Sequence, residues 1–175
     1  MDGRRMATVG LVLAATVGVV GCTPADAERD PSPAPSASAT VTTSPEPTPD
    51  PAAAKKLPIL VDEIPDWAET VVPGSDTDGY VGSLSGWLSE PSSAHYRSQF
   101  SSLEPGTYQA QIACRGDGTI AASGGDLDAE PSPNPTQCTN ATIAFDITTT
   151  STGLKVDLDL QGDPSIFAVS VRRVA

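Results

Sequence analysis

Leu154-Lys155-Val156-Asp157-Leu158-Asp159-Leu160-Gln161 alternates without a break. Leu154, Val156, Leu158 and Leu160 fall on one face and Lys155, Asp157, Asp159 and Gln161 on the other, the period of two that marks a half-buried strand. A slip of one residue turns the charged set inward, so the register of this strand is firmly set. Gly162-Asp163-Pro164 then turns the chain, and Phe167, Val169 and Val171 line one face of a last strand ending near Ala175. On the other side Thr152-Gly153 is a turn, preceded by Ala141, Ile143, Phe145 and Ile147 alternating with Thr142, Ala144, Asp146 and Thr148. Further upstream, Tyr108, Ala110, Ile112 and Cys114 share a face opposite Gln109, Gln111 and Ala113. Gly116-Asp117-Gly118 is a tight-turn signature, so Thr119 to Ser123 is expected to return as a hairpin partner. A Gly-, Asp- and Pro-rich loop covers 124–135. Short one-faced strands with turns about every ten residues predict an all-β fold, an antiparallel β-sandwich of jelly-roll or Ig-like type, because two sheets facing each other bury every apolar face at once.

Residues 57–104 are less periodic. Leu57 to Val61 is an apolar first strand or extended lead-in, and Trp67 begins a short helical turn through Thr70. Pro73-Gly74-Ser75-Asp76 and Glu90-Pro91-Ser92-Ser93 are turns. Strands are expected over Gly79 to Leu88 and His95 to Leu103.

The N-terminus has another character. Arg4 and Arg5 precede an apolar run from Ala7 to Val20, about fourteen residues where a membrane-spanning helix needs roughly twenty. This is a signal-peptide core. It ends in Val19-Val20-Gly21-Cys22, which resembles the lipobox of a bacterial lipoprotein signal. The resemblance implies cleavage between Gly21 and Cys22, lipidation of Cys22 and attachment to the extracytoplasmic face of the cell membrane. Arg4-Arg5 raises a twin-arginine export route, but Met6, Ala7 and Thr8 fit that pattern poorly, so the general secretory route is expected. Residues 1–21 are then a signal peptide, 22–56 a lipidated cysteine with a disordered Pro/Ser/Thr/Ala-rich tether, and 57–175 the sandwich. The tether has no hydrophobic period and cannot bury enough apolar surface to offset its ordering entropy; its prolines favour extended geometry.

With Cys22 assigned to lipid, Cys114 and Cys138 remain as a pair in an oxidising compartment, which implies a structural disulfide. A metal or redox role for them has little support, since there is no C-x-x-C and one histidine in the chain. The whole chain carries a formal net charge of -12. From Leu57 onward, 16 acids against 5 bases leave -11, so the acidity belongs to the domain. Such a surface repels nucleic acid. The segment from Pro105-Gly106-Thr107-Tyr108 through Cys114-Arg115-Gly116, with Cys138 and the final apolar strand, resembles the small secreted β-domains of uncharacterised actinobacterial lipoproteins, a group that implies no activity.

Candidate sites are sparse. His95 is the only histidine, and no nucleophile-elbow motif accompanies it. No catalytic residue and no cofactor are expected. Asp76 and Asp78, and Asp126, Asp128 and Glu130, place alternating carboxylates on turns and are weak calcium candidates, since neither group completes a twelve-residue calcium loop. Trp67 and Trp87 are candidates for stacking on a sugar, set against ordinary packing. The expected function is a non-catalytic binding or envelope-organising module anchored through lipid, with an envelope protein or cell-wall glycan as partner. The alternatives are an accessory subunit of a membrane enzyme or transporter, which would show an exposed apolar patch, and a carbohydrate-binding or hydrolytic enzyme, which would show a concave site with converging carboxylates and aromatics.

Overall fold

The computed structural model describes residues 41–43 and 50–174. Residues 1–21, read above as a signal peptide, and Cys22 lie outside them. In chain order the elements are β1 (Val41–Thr43), α1 (Pro51–Ala54), a 3-10 turn (Val61–Glu63), α2 (Ile64–Val71), β2 (Tyr80–Leu88), β3 (His95–Phe100), β4 (Gly106–Gly116), β5 (Thr119–Gly125), β6 (Thr136–Cys138), β7 (Thr142–Thr149), β8 (Leu154–Gln161) and β9 (Ser165–Arg173). They form an antiparallel sandwich of a five-stranded sheet, β1-β3-β8-β5-β6, on a four-stranded sheet, β2-β9-β4-β7.

Leaving β1 aside, eight strands follow a simple pairing rule. The first pairs with the last, β2 with β9; then β3 with β8, β4 with β7, and β5 with β6. The chain is a long antiparallel ribbon wrapped around the core, with the Gly/Pro loop after β5 at its tip. Of the two sandwich types expected, this is the jelly roll. The core between the sheets collects the alternating residues read from the sequence: Tyr108, Ala110, Ile112 and Cys114 of β4, Leu154, Val156, Leu158 and Leu160 of β8, and Phe167, Val169 and Val171 of β9.

The expected hairpin at Gly116-Asp117-Gly118 does not form. Both edges of β4 are already hydrogen-bonded, to β7 and to β9, so β5 has no edge to join. The turn instead carries the chain across to the other sheet, where β5 pairs with β8 and β6. Gly116 has φ +138°, and a Cβ on Gly118 would overlap the Asp163 carbonyl oxygen. The bend therefore needs glycine at both places.

The folded region also begins earlier than Leu57. Asp50 caps α1, its carboxylate accepting from the amides of Ala52 (2.9 Å) and Ala53 (3.2 Å), with Pro51 in the first turn. Ala53 is buried. This is an ordinary N-terminal helix signal, Asp followed by Pro, hidden in a stretch whose overall composition reads as linker. Val41–Thr43, also in the expected tether, pairs with Ser98–Phe100 of β3. Helix α2 likewise starts before Trp67, at Ile64, behind a Glu63 carboxylate that accepts from the Leu60 amide at 3.0 Å.

Two outward faces are covered where alternation alone leaves them in solvent. In β9 every residue from Ser165 to Val171 is buried, because α2 lies on the side away from the core. In β8, Lys155 and Asp157 are buried beneath the 126–135 loop, whose Ala129 carbonyl accepts from Lys155 Nζ.

Candidate functional site

The outer face of the four-stranded sheet is paved with small side chains. One row runs Ser85, Ala168, Ala113, Thr142 across β2, β9, β4 and β7. A helix can approach such a row closely, and α2 does: Ala68 and Val72 bury against Ala113 and Ala168. Helical spacing sends Trp67 and Val71 to one flank, toward β4, and Glu69 to the other, toward β2, where Val72 follows the last turn.

Each flank is a cleft. The larger, about 680 Å³, lies between α2, the 73–79 turn and β2. Glu69, Asp76, Tyr80, Ser83 and Ser85 line it over an apolar floor that includes Val72. Tyr80 Oη donates to Ser83 Oγ at 2.9 Å. The smaller, about 320 Å³, is lined by Trp67 and Val71 with Arg115, Asn140 and Thr142. Asn140 sits at φ +45°. Its side chain accepts from the Gly116 amide (3.1 Å) and donates to the Gly116 carbonyl (2.8 Å), which fixes the bend beside the disulfide.

The predicted stacking residues are thus separated. Trp67 is half-buried and lines the smaller cleft; Trp87 stands on β2 opposite Ile166 of β9. Tyr96 faces inward and packs on Phe167 with ring centroids 5.3 Å apart, and burial raises its phenol pKa.

The outer face of the five-stranded sheet carries a ladder of cross-strand charge pairs, His95 with Asp159 and Arg97 with Asp157. His95 Nδ1 is held by the Asp159 carboxylate, while Ser93 Oγ donates to its backbone carbonyl at 3.2 Å. Asp157 Oδ1 meets Arg97 Nε at 2.5 Å, and that hydrogen bond raises the guanidinium pKa further.

The calcium candidates do not come together. Among the described residues no three His, Cys, Asp or Glu side chains converge on a common point. Asp128, Glu130 and Asp78 are exposed, and Asp76, also exposed, lines the larger cleft. Asp126 has a structural task instead. Its carboxylate accepts from the amide and hydroxyl of Thr150 and from the amide and hydroxyl of Ser151, at 2.8–3.0 Å. It thereby ties the 126–135 loop to the turn between β7 and β8, and those donors lower its pKa to about 2.

A testable consequence follows from the sign of that shift. A carboxyl whose pKa is depressed by folding stabilises the fold above its unfolded value, and the contribution is lost as pH falls through the folded value. Between about pH 4 and pH 2 the wild type is expected to lose more stability than Asp126→Asn, and at pH 6 the variant is expected to melt lower. Equal melting temperatures at pH 6 would remove the carboxylate from this role.

Cys114 and Cys138 form the expected disulfide, with Cα atoms 6.1 Å apart. It joins β4 in one sheet to β6 in the other. The molecule is therefore of a definite class: a jelly-roll β-sandwich cross-braced by one inter-sheet disulfide, with a helix lying on one sheet between two clefts. Comparison with known proteins finds no matching family, no matching curated protein and no matching solved structure.

Proposed function

We propose that the chain is a cell-envelope lipoprotein, anchored through Cys22 to the extracytoplasmic face of the membrane, whose jelly-roll domain serves as a non-catalytic binding or envelope-organising module. The observation that carries this reading is the use of the cysteines. The sequence has three. Cys114 and Cys138 consume each other, which leaves the one that follows the apolar run, at the position where a lipobox places its acylated residue. A structural disulfide also fits an exported chain. Two or more acyl chains hold a protein at a membrane where one does not.

A glycan as partner is favoured by one feature of the larger cleft, the joining of hydroxyls and carboxylates over an apolar floor. The accessory-subunit alternative rests on less. The large exposed apolar side chains among the described residues are Leu60, Val61 and Val174, too few to make a docking patch of several hundred Å².

Membrane fractionation with intact-mass analysis, wild type beside Cys22→Ala, tests the anchor. The wild type is expected in the membrane fraction with acyl mass on Cys22, and the variant in the soluble fraction without it. A wild type released without lipid would make this a freely secreted domain.

A further inference from the structure

We infer that the cleft between α2 and β2 binds an amino sugar, a hydroxylated ring bearing a protonated amine. This deepens the reading of the chain as an envelope binding module and rests on it. At about 680 Å³ the cleft falls within the size range of small-molecule sites, roughly 300–1,000 Å³.

Its charge has one sign. Residues 57–96 hold seven Asp and Glu and no Lys or Arg, and this segment supplies the cleft's whole lining. Glu69 and Asp76, both exposed, take part in none of the ion pairs of the described residues. A concave surface lined by one sign focuses its field and concentrates the opposite ion, so the site selects a cation and rejects phosphate or carboxylate.

The rest of the lining argues for a hydroxylated cation over an aliphatic one. Tyr80 spends its proton on Ser83. The lone pairs of Tyr80 Oη and the proton of Ser83 Oγ remain for a ligand, and Ser85 adds a second hydroxyl from β2. The apolar lining at Pro65 and Pro73, beside Val72, suits the C–H face of a sugar ring. Carboxylates for the amine, hydroxyls for the ring oxygens and an apolar lining together match an amino sugar better than a polyamine or a lysine side chain, whose methylene stems can use the apolar lining but which bring no hydroxyl to pair with Tyr80, Ser83 and Ser85.

The test is calorimetric titration of the full chain in detergent micelles with a β-1,4-linked glucosamine tetramer, its N-acetylated counterpart and tetralysine, with amide NMR shifts to locate the contact. The glucosamine tetramer is expected to bind saturably and to shift the amides of residues 65–85. Glu69→Gln and Asp76→Asn are each expected to weaken it by about tenfold, the loss of one charge-assisted hydrogen bond, with unchanged melting temperatures. The neutral N-acetylated tetramer is expected to bind at least about tenfold more weakly. Absence of binding, shifts confined to other residues, equal binding of the N-acetylated tetramer, or tetralysine binding as tightly at the same amides would each overturn the assignment. None of these readouts depends on lipid at Cys22, so failure of the site and failure of the anchor are told apart.

Discussion

Replacing Cys114 and Cys138 together by alanine is expected to lower the unfolding free energy by about 3–4 kcal/mol, the loop-closure entropy restored to an unfolded chain cross-linked over 24 residues. The bridge links strands in different sheets just where β4 leaves for the crossing at Gly116, so it restrains the two sheets against sliding apart as well as closing a loop. Both sulfurs are buried against the core, which makes alanine the cleaner replacement: serine would add a buried hydroxyl that must find a partner. Urea melts of the wild type, the double variant and the reduced wild type give the comparison, and reduction is expected to reproduce the double substitution to within about 1 kcal/mol. A loss below about 1 kcal/mol in both would mean that the unfolded chain already keeps these strands together.

Asp157→Leu is expected to cost about 3–5 kcal/mol, because it leaves a buried ammonium without its counter-charge. The side chains of Lys155 and Asp157 are 4% and 9% exposed, and Lys155 Nζ stands 3.8 Å from Asp157 Oδ2. Arg97, 49% exposed, reaches the same carboxylate, but it can turn to water, and its share is within about 1 kcal/mol. Lys155 has the Ala129 carbonyl and no such escape. Adding Lys155→Met to Asp157→Leu is expected to return most of the loss, since a buried apolar pair often does as well as a buried ion pair. With Lys155→Met alone and the wild type, these variants make a double-mutant cycle read by chemical denaturation. A double variant as unstable as Asp157→Leu alone would show that the leucine's shape, and not the orphaned charge, carries the cost.

The alternating strands β4, β7, β8 and β9 are legible in the sequence because alternation is local: each apolar residue declares its face two positions from the next. Partnership is not local. Nothing around Gly116-Asp117-Gly118 reveals that β4 has both edges taken by strands 29 and more residues away, as the pairing of Ala113 with Thr142 and Ala168 shows. The charges of Lys155 and Asp157 read as a solvent face, which is what alternation assigns to them until a loop from elsewhere in the chain covers it. Asp126 reads as one carboxylate in an acidic loop; its four donors come from Thr150 and Ser151, which only the fold brings near.

The candidate cleft was legible in part. The absence of Lys and Arg over residues 57–96 stands in plain view, but Glu69 and Asp76 become one site with Tyr80, Ser83 and Ser85 only when α2 is laid on the sheet. The row of Ala113 and Ala168 that receives it looks, in sequence, like two unremarkable alanines in different strands.

By itself the sequence determined the sandwich class and the faces of its clearest strands, because periodicity depends on neighbours along the chain; it led to the pairing of Cys114 with Cys138 only with Cys22 set aside for its likeness to a lipobox cysteine, and the fold places the two together. Only the tertiary structure decided the jelly-roll order, the crossing at Gly116, the place of β1 and of the Asp50-capped α1 in the fold, and the two clefts. Each of these depends on which surfaces meet across long separations, and that choice is made by the burial of whole faces against one another, not by any residue's preference for its own conformation.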